Sequence, residues 1–301
     1  ETLVAFLILP ALCYIQIMSI KHLIFDIETV CDEELIRQIV YPNEKFTQKW
    51  EAVHRYQEQL LEESNSKSSF IPATFHLPVS VAVIGVEANG TIAHIGTLDR
   101  PDFRPHRIAD QFWRLWRKYG FPQFITFNGR GFDLPVMELC AYRYGLNTKE
   151  WFDSDGPSYS QPRNRYAKNH FDLMDFFTNF GATRFNGGLN LAATLIGKPG
   201  KLDTKGSMVQ DLYEEGDLLR IDDYCVCDVL DTYFVFLRTQ VIKGEISLEK
   251  ERDLVLQAKN TLLEYINTYK VLDKYLEEFR LWQAPRAESD GFYHIDNFSK
   301  D

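Results

Sequence analysis

Asp26 and Glu28 stand two residues apart near the end of the apolar run His22-Leu23-Ile24-Phe25-Asp26-Ile27-Glu28-Thr29. On a β-strand successive side chains point to opposite faces, so the two carboxylates share one face while Phe25 and Ile27 take the other. Like charges held that close repel, and ionising both is costly unless a positive charge sits between them. A divalent cation fills that role, because hard cations take carboxylate oxygens. Further carboxylates recur downstream. Phe124-Ile125-Thr126-Phe127-Asn128-Gly129-Arg130-Gly131-Phe132-Asp133 reads as a short buried strand, a turn built on two glycines, and a helix opening near Pro135. Asp133 lies at that strand-to-helix junction, where an isolated Asp would serve as a helix cap. In Tyr224-Cys225-Val226-Cys227-Asp228 and beyond, Val226, Val229, Leu230, Phe234 and Leu237 recur at helical spacing. Tyr224 and Asp228 then sit one turn apart on one face. Taken alone, that pair reads as a solvent-facing Asp beside a half-buried Tyr.

Positioning these groups requires an α/β arrangement. The segment 32–63 is charged, with Leu35, Ile39, Phe46, Trp50, Val53, Tyr56 and Leu60 spaced for one or two amphipathic helices, and a polar loop follows to Ser69. Val79–Val86 reads as a strand, Asn89-Gly90 as a hairpin turn, Thr91–Leu98 as the next strand, and Arg107–Tyr119 as a helix. Asp26 and the 128–133 segment both fall at the C-terminal ends of strands, where open α/β sheets gather ligands. The helix bearing Tyr224 is expected to run to Lys243, a further helical stretch to span Ser247–Phe279, and a mobile polar tail to begin at Ala284. Residues 152–168 lack periodicity and interleave Arg163, Arg165 and Lys168 with Tyr159 and Tyr166. This is either a segment that touches phosphates and stacks on an unpaired base or a solvated loop. Arg184, Lys198, Lys201 and Lys205 form a second basic cluster, with Lys201 taken as a contact to the substrate backbone. The cluster lacks the Gly-x-x-x-x-Gly-Lys-Ser/Thr spacing, so no nucleotide triphosphate is expected. His170 reads as structural, Asp172 as a helix cap and Asp175 as a surface acid.

The 301 residues suffice for one substantial core with a small helical appendage, and 45% hydrophobic content excludes a disordered chain. A net charge of −10 argues against a broad nucleic-acid-coating surface, although an acidic metal-binding site would itself add to that charge. Five scattered cysteines fit the reduced thiols of a cytoplasmic protein, and Cys225-x-Cys227 lacks zinc spacing and reads as ordinary. Residues 1–17 are apolar, but they have no basic leading segment or small-residue cleavage site, and Pro10 interrupts them. They are expected to be an upstream leader ahead of a natural start at Met18, neither a signal peptide nor a membrane span.

The three acidic pieces, in this order and on these elements, resemble the DEDD superfamily of 3′–5′ exonucleases. The first resembles its Asp-x-Glu motif, the second Asn-x-x-x-Phe-Asp, and the third Tyr-x-x-x-Asp. Position 223, where the His-type members place their His, is Asp, so the chain looks like the Tyr type (DEDDy). The stretch from about His22 to Lys243 is similar to the predicted stand-alone exonucleases of the PolB proofreading type, including His170–Asp175 and Leu195–Lys201. The resemblance implies an RNase H-like mixed sheet flanked by helices, with a helical insertion after the first strand. It divides the chain into an exonuclease domain over 18–245 and a helical C-terminal extension with its tail over 246–301. It also implies two Mg²⁺ or Mn²⁺ ions held by Asp26, Glu28, Asp133 and Asp228, since two ions about 3.5–4 Å apart serve phosphodiester hydrolysis. Asp26 would bridge both ions, Glu28 and Asp228 would complete the first, Asp133 would reach the second through water, and Tyr224 would orient the attacking water. Thr29, Asn128, Phe132, Arg163, Arg165 and Lys201 would contact a nucleic acid with a free 3′ end, single-stranded DNA, and no membrane partner is implied. The other reading is a binding module or adaptor that kept the fold without catalysis, and the presence of all four carboxylates and the Tyr weighs against it.

Overall fold

The structure, a computed structural model, describes residues 19–153, 157–200, 202 and 206–283. The leader, Lys201, Lys205 and the tail from 284 lie outside the described residues.

The alternation around Asp26 folds as a twelve-residue strand, β1 (Ile20–Cys31). It pairs antiparallel along its length with β2 (His76–Glu87), which pairs antiparallel with β3 (Ile92–Thr97). Asn89 closes the hairpin between them, its side chain accepting from the Thr91 N–H at 2.8 Å. On the other edge of β1 lie the parallel strands β4 (Gln123–Thr126) and β5 (His170–Asp172), giving a mixed sheet in the order β3-β2-β1-β4-β5. The helices in chain order are α1 (Glu33–Ile39), α2 (Glu51–Glu63), α3 (Pro105–Lys118), α4 (Asp133–Tyr144), α5 (Lys149–Phe152) and α6 (Leu173–Thr178). They continue with α7 (Gly188–Leu195), α8 (Val209–Glu215), α9 (Leu218–Ile242), α10 (Leu248–Tyr265) and α11 (Val271–Glu278).

The two faces of the sheet are packed differently. Leu23, Phe25, Ile27, Val81 and Phe124 meet α3 and α4 in an aromatic core with Phe112, Trp113, Trp116 and Trp151. Ile24, Ala82, Ile84 and Ile125 meet α9, which is covered in turn by α7, α10 and α11. The expected helix over Ser247–Phe279 is therefore two helices, and both share the core of the sheet: Leu254, Leu262, Leu272 and Tyr275 are buried with α9. The segment after β1 forms α1 and α2 around a small cluster of Cys31, Ile36, Tyr41, Ala52, Val53 and Ile71. Residues 152–168 hold the end of α5 and a single 3₁₀ turn, Ser158–Ser160. Cys31, Cys140, Cys225 and Cys227 are buried free thiols. Among the described residues no helix is long and apolar enough to cross a membrane.

Candidate active site

Because Asp26 and Glu28 share the β1 face that α9 covers, they meet Asp228 there, and one oxygen from each of the three carboxylates lies within 4.8 Å of the others. The helix is fastened over them at two points. The Cys225 thiol donates to the Asp26 carbonyl and accepts from the Ala82 N–H, each at 3.3 Å, and Asp26 and Ala82 are register partners. One turn earlier Asp222, fully buried, accepts from Ser80 Oγ (2.9 Å), Thr97 Oγ1 (3.3 Å) and Arg100 Nε (3.0 Å). With α9 tied to β2 and β3, Asp228 has little freedom to choose its position.

Asp133 arrives from the other side. Pairing of β1 with β4 ends at Ile24–Ile125, so the N–H of Ile27 has no strand partner on that edge. The Asp133 carboxylate accepts it from the first turn of α4, in addition to its own N–H. Asp133 stands outside the tight group of three, yet it is the foremost charge acting on Asp26. Burial, followed by repulsion from Asp133, Asp228 and Glu28, holds the Asp26 carboxyl well above the usual carboxylate range. Burial likewise pushes Asp133 up to about 7, with Asp172 and Asp228 adding to the shift and its two N–H bonds opposing it. The Tyr224 hydroxyl donates to Asp228; burial and the Asp228, Glu28 and Asp26 charges drive its pKa far upward, so it is a neutral donor.

The turn leading to Asp133 is built around glycine and one carboxylate. A Cβ on Gly129 would sit 2.4 Å from Thr126 Oγ1, and Asn128 adopts a left-handed backbone at φ 66°. Asp172 accepts from the Asn128 and Arg130 N–H groups at 2.8 Å each and also caps α6 through the Met174 N–H. Its expected role as a cap is thus half of what it does. Asp175 is paired with Arg130 at 2.7 Å. Thr29 and Phe132 converge on His76. Its Nε2 donates to the Ile71 carbonyl (3.0 Å), which leaves Nδ1 to accept from the Thr29 hydroxyl (2.7 Å) while Phe132 packs edge-on at 5.6 Å. The Asn128 side chain is exposed.

The basic residues singled out in the sequence have contacts of their own. Arg163 is committed to Glu138 (3.0 Å), which also accepts from Trp151 Nε1, and Arg165 lies over the rings of Phe180 and Tyr166. Lys198 turns inward, its Nζ donating to the Ile196 and Arg280 carbonyls above the Phe279 ring. His170 is buried against Thr126 Oγ1 at 2.8 Å, as a structural histidine. Three residues that hold the site have no signature in the sequence: Cys225, Asp222 and His76. Each acts through a contact to a distant element, and only the short polar side chain at a buried helical position marks Asp222.

Residues 68–279 match the family described as predicted 3′–5′ exonucleases related to the exonuclease domain of PolB. The chain belongs to this family. The stretch that matches the PolB-related exonucleases carries Asp133, Tyr224 and Asp228 and runs through α10 and α11. Asp26 and Glu28 precede it, on the strand that β2 and β4 of the matched stretch enclose. No curated protein matches the chain.

Proposed function

We propose that this chain is a metal-dependent exonuclease that hydrolyses phosphodiester bonds from the 3′ end of single-stranded DNA. In this reading the β3-β2-β1-β4-β5 sheet is an RNase H-like core spanning 18–245, α1 and α2 are a helical insertion, and 246–301 is an extension. The reading rests on the convergence of Asp26, Glu28 and Asp228, from two elements some 200 residues apart, onto one point.

The donor set suits Mg²⁺ or Mn²⁺. Every ligand atom in the cluster is a carboxylate oxygen, with Asp133 adjacent, which favours hard cations over zinc. The neighbouring Cys225 thiol is engaged with the backbone, and burial pushes its pKa well up, so it offers no thiolate. Burial and mutual carboxylate repulsion raise the Asp26 and Asp133 carboxyls, a cost that a bound cation would relieve. When bound, two such ions supply an acidified water and neutralise charge on the phosphate and the departing 3′-oxygen. The chain does the positioning. Asp26, Glu28 and Asp228 would hold the ions, and Asp133 is aimed by the Ile27 N–H. Tyr224 keeps its proton and spends it on Asp228, so its oxygen is left to accept from the attacking water and orient it. Thr29, Asn128 and Phe132 flank the cleft as contacts to the terminal nucleotide, with Arg165 and Arg163 for upstream phosphates, where a phosphate must compete with Glu138 for the Arg163 guanidinium. The buried, unpaired thiols fit a cytoplasmic setting.

The test is a 5′-labelled single strand incubated with the protein in Mn²⁺ and in EDTA. A ladder shortening from the 3′ end in Mn²⁺ alone is expected. A strand left intact in Mn²⁺, or shortened equally in EDTA, overturns the proposal.

A further inference from the structure

Arg220, Tyr224 and Asp228 fall at i, i+4 and i+8, a single stripe along α9. Beside this stripe is a cavity of about 290 Å³. Arg220, Asp223 and Tyr224 line it from α9, Val271 and Lys274 from α11, and Leu202 from the segment before α8. α11 is held there firmly. Its Tyr275 hydroxyl donates to Asp231 at 2.6 Å, and the Val271 N–H at its first residue bonds to Asp223. Two cations from separate elements therefore face one cavity whose wall also contains the Tyr224 ring.

In a chain of net charge −10, a pocket whose described lining includes Arg220, Lys274 and Asp223, set beside a carboxylate cluster, has a charge pattern suited to phosphate. Eight residues of helix rise about 12 Å, and Tyr224, midway along the stripe, lines the cavity and donates to Asp228, so the cavity and the carboxylate cluster share one side chain. Guanidinium and ammonium groups bind phosphate oxygens through charge-assisted hydrogen bonds, and the apolar Val271 and Leu202 walls limit competing water.

We propose that Arg220 and Lys274 form a phosphate subsite that grips the nucleic acid beside the carboxylate cluster, so that α11 completes the substrate cleft. This rests on the exonuclease reading above. The phosphate is either a diester of the strand upstream of the scissile bond or the 5′-phosphate of the released nucleotide. Asp223 shares the wall and opposes both.

The experiment measures binding of a 5′-fluorescein single strand to the full chain in Ca²⁺ by anisotropy across a salt series, with and without competing dAMP. For a diester contact, Arg220→Gln and Lys274→Gln should each weaken strand binding about 5-fold, a loss of about 1 kcal/mol. For a diester contact each should lower the salt-dependence slope by about 0.7, and for a product contact only competition by dAMP should weaken. Asp223→Asn should tighten binding, a gain that a merely structural role would not produce. A double variant, Arg220→Gln with Lys274→Gln, that keeps its wild-type melting temperature, strand affinity, salt slope and dAMP competition overturns the subsite. A wild-type chain that binds strand through these residues yet never shortens it supports the subsite and overturns the nuclease reading.

Discussion

Phe25 and Ile27 on one side of β1, and Asp26 and Glu28 on the other, alternate along four consecutive residues of one strand and live in opposite environments. Phe25 is fully buried, with Phe112 edge-on at 4.9 Å and Phe124 at 5.1 Å, inside a core containing three tryptophans. Asp26 and Glu28 are crowded by Asp228 and Asp133, whose charges raise the cost of ionising Asp26. The lesson is a division of labour within a period of two. The aromatic face supplies the rigidity that keeps four mutually repelling carboxylates in place, and the acidic face is arranged at the expense of stability.

Substituting on each face should separate the two roles. The largest effect is expected from Asp26→Ala or Asp228→Ala, which should cut cleavage about 10⁴-fold, equivalent to about 5.5 kcal/mol of barrier. In metal-free buffer the same variants should melt no lower than the wild type, because a repelling charge has gone; a large drop in melting temperature would break the contrast. Next comes Phe25→Ala, which should cost about 3–5 kcal/mol in denaturant unfolding while the folded fraction keeps its specific activity. If cleavage per folded molecule were lost as well, the faces would not be separable.

A pH series sharpens the comparison with a buried carboxylate that has no place in the site. Asp231 on α9 accepts from Tyr275, has one oxygen without a partner, and is pushed up to about 8, chiefly by burial. Its folded pKa exceeds its unfolded value of about 3.9, so the folded state holds the extra proton and the stabilisation is full below about pH 4. That contribution declines as the pH rises through about 8. Asp231→Asn should therefore flatten the fall of melting temperature between about pH 4 and 8, and an unchanged slope would remove Asp231 from the account. The smallest effect is expected from Cys225→Ala, which removes the thiol bridge between Asp26 and Ala82. It should cost about 0.5–1.5 kcal/mol of stability and lower cleavage by loosening Asp228. A variant as stable and active as the wild type would show that Asp222 alone seats the helix.

What could be read from the chain follows from the range of the forces involved. The face shared by Asp26 and Glu28, the turn before Asp133 and the helical pairing of Tyr224 with Asp228 are local consequences of period and turn chemistry. The β2–β3 hairpin was equally plain in Asn89-Gly90. The break at 266–270 between α10 and α11 was missed because Ile266-Asn267-Thr268 contains neither Gly nor Pro to announce it. Cys225 looked ordinary because its role depends on a backbone carbonyl 199 positions away. In the sequence Lys198 is one of a basic cluster, and only the fold shows it turned onto Phe279. The sequence leaves Arg163 either a phosphate contact or part of a solvated loop, and its pairing with Glu138 on α4, 25 positions away, is visible only in the fold.

The anchoring of α9 also dictates where motion can occur. A 25-residue rod riveted through Asp222 and Cys225 on one side and Asp231 on the other behaves as an anvil. Adjustment at the site then falls to the hammer side, the glycine turn that delivers Asp133. That turn is tethered by Asp172 through two backbone N–H groups and by Asp175 through Arg130, and loosening these ties would change the stroke without moving the anvil.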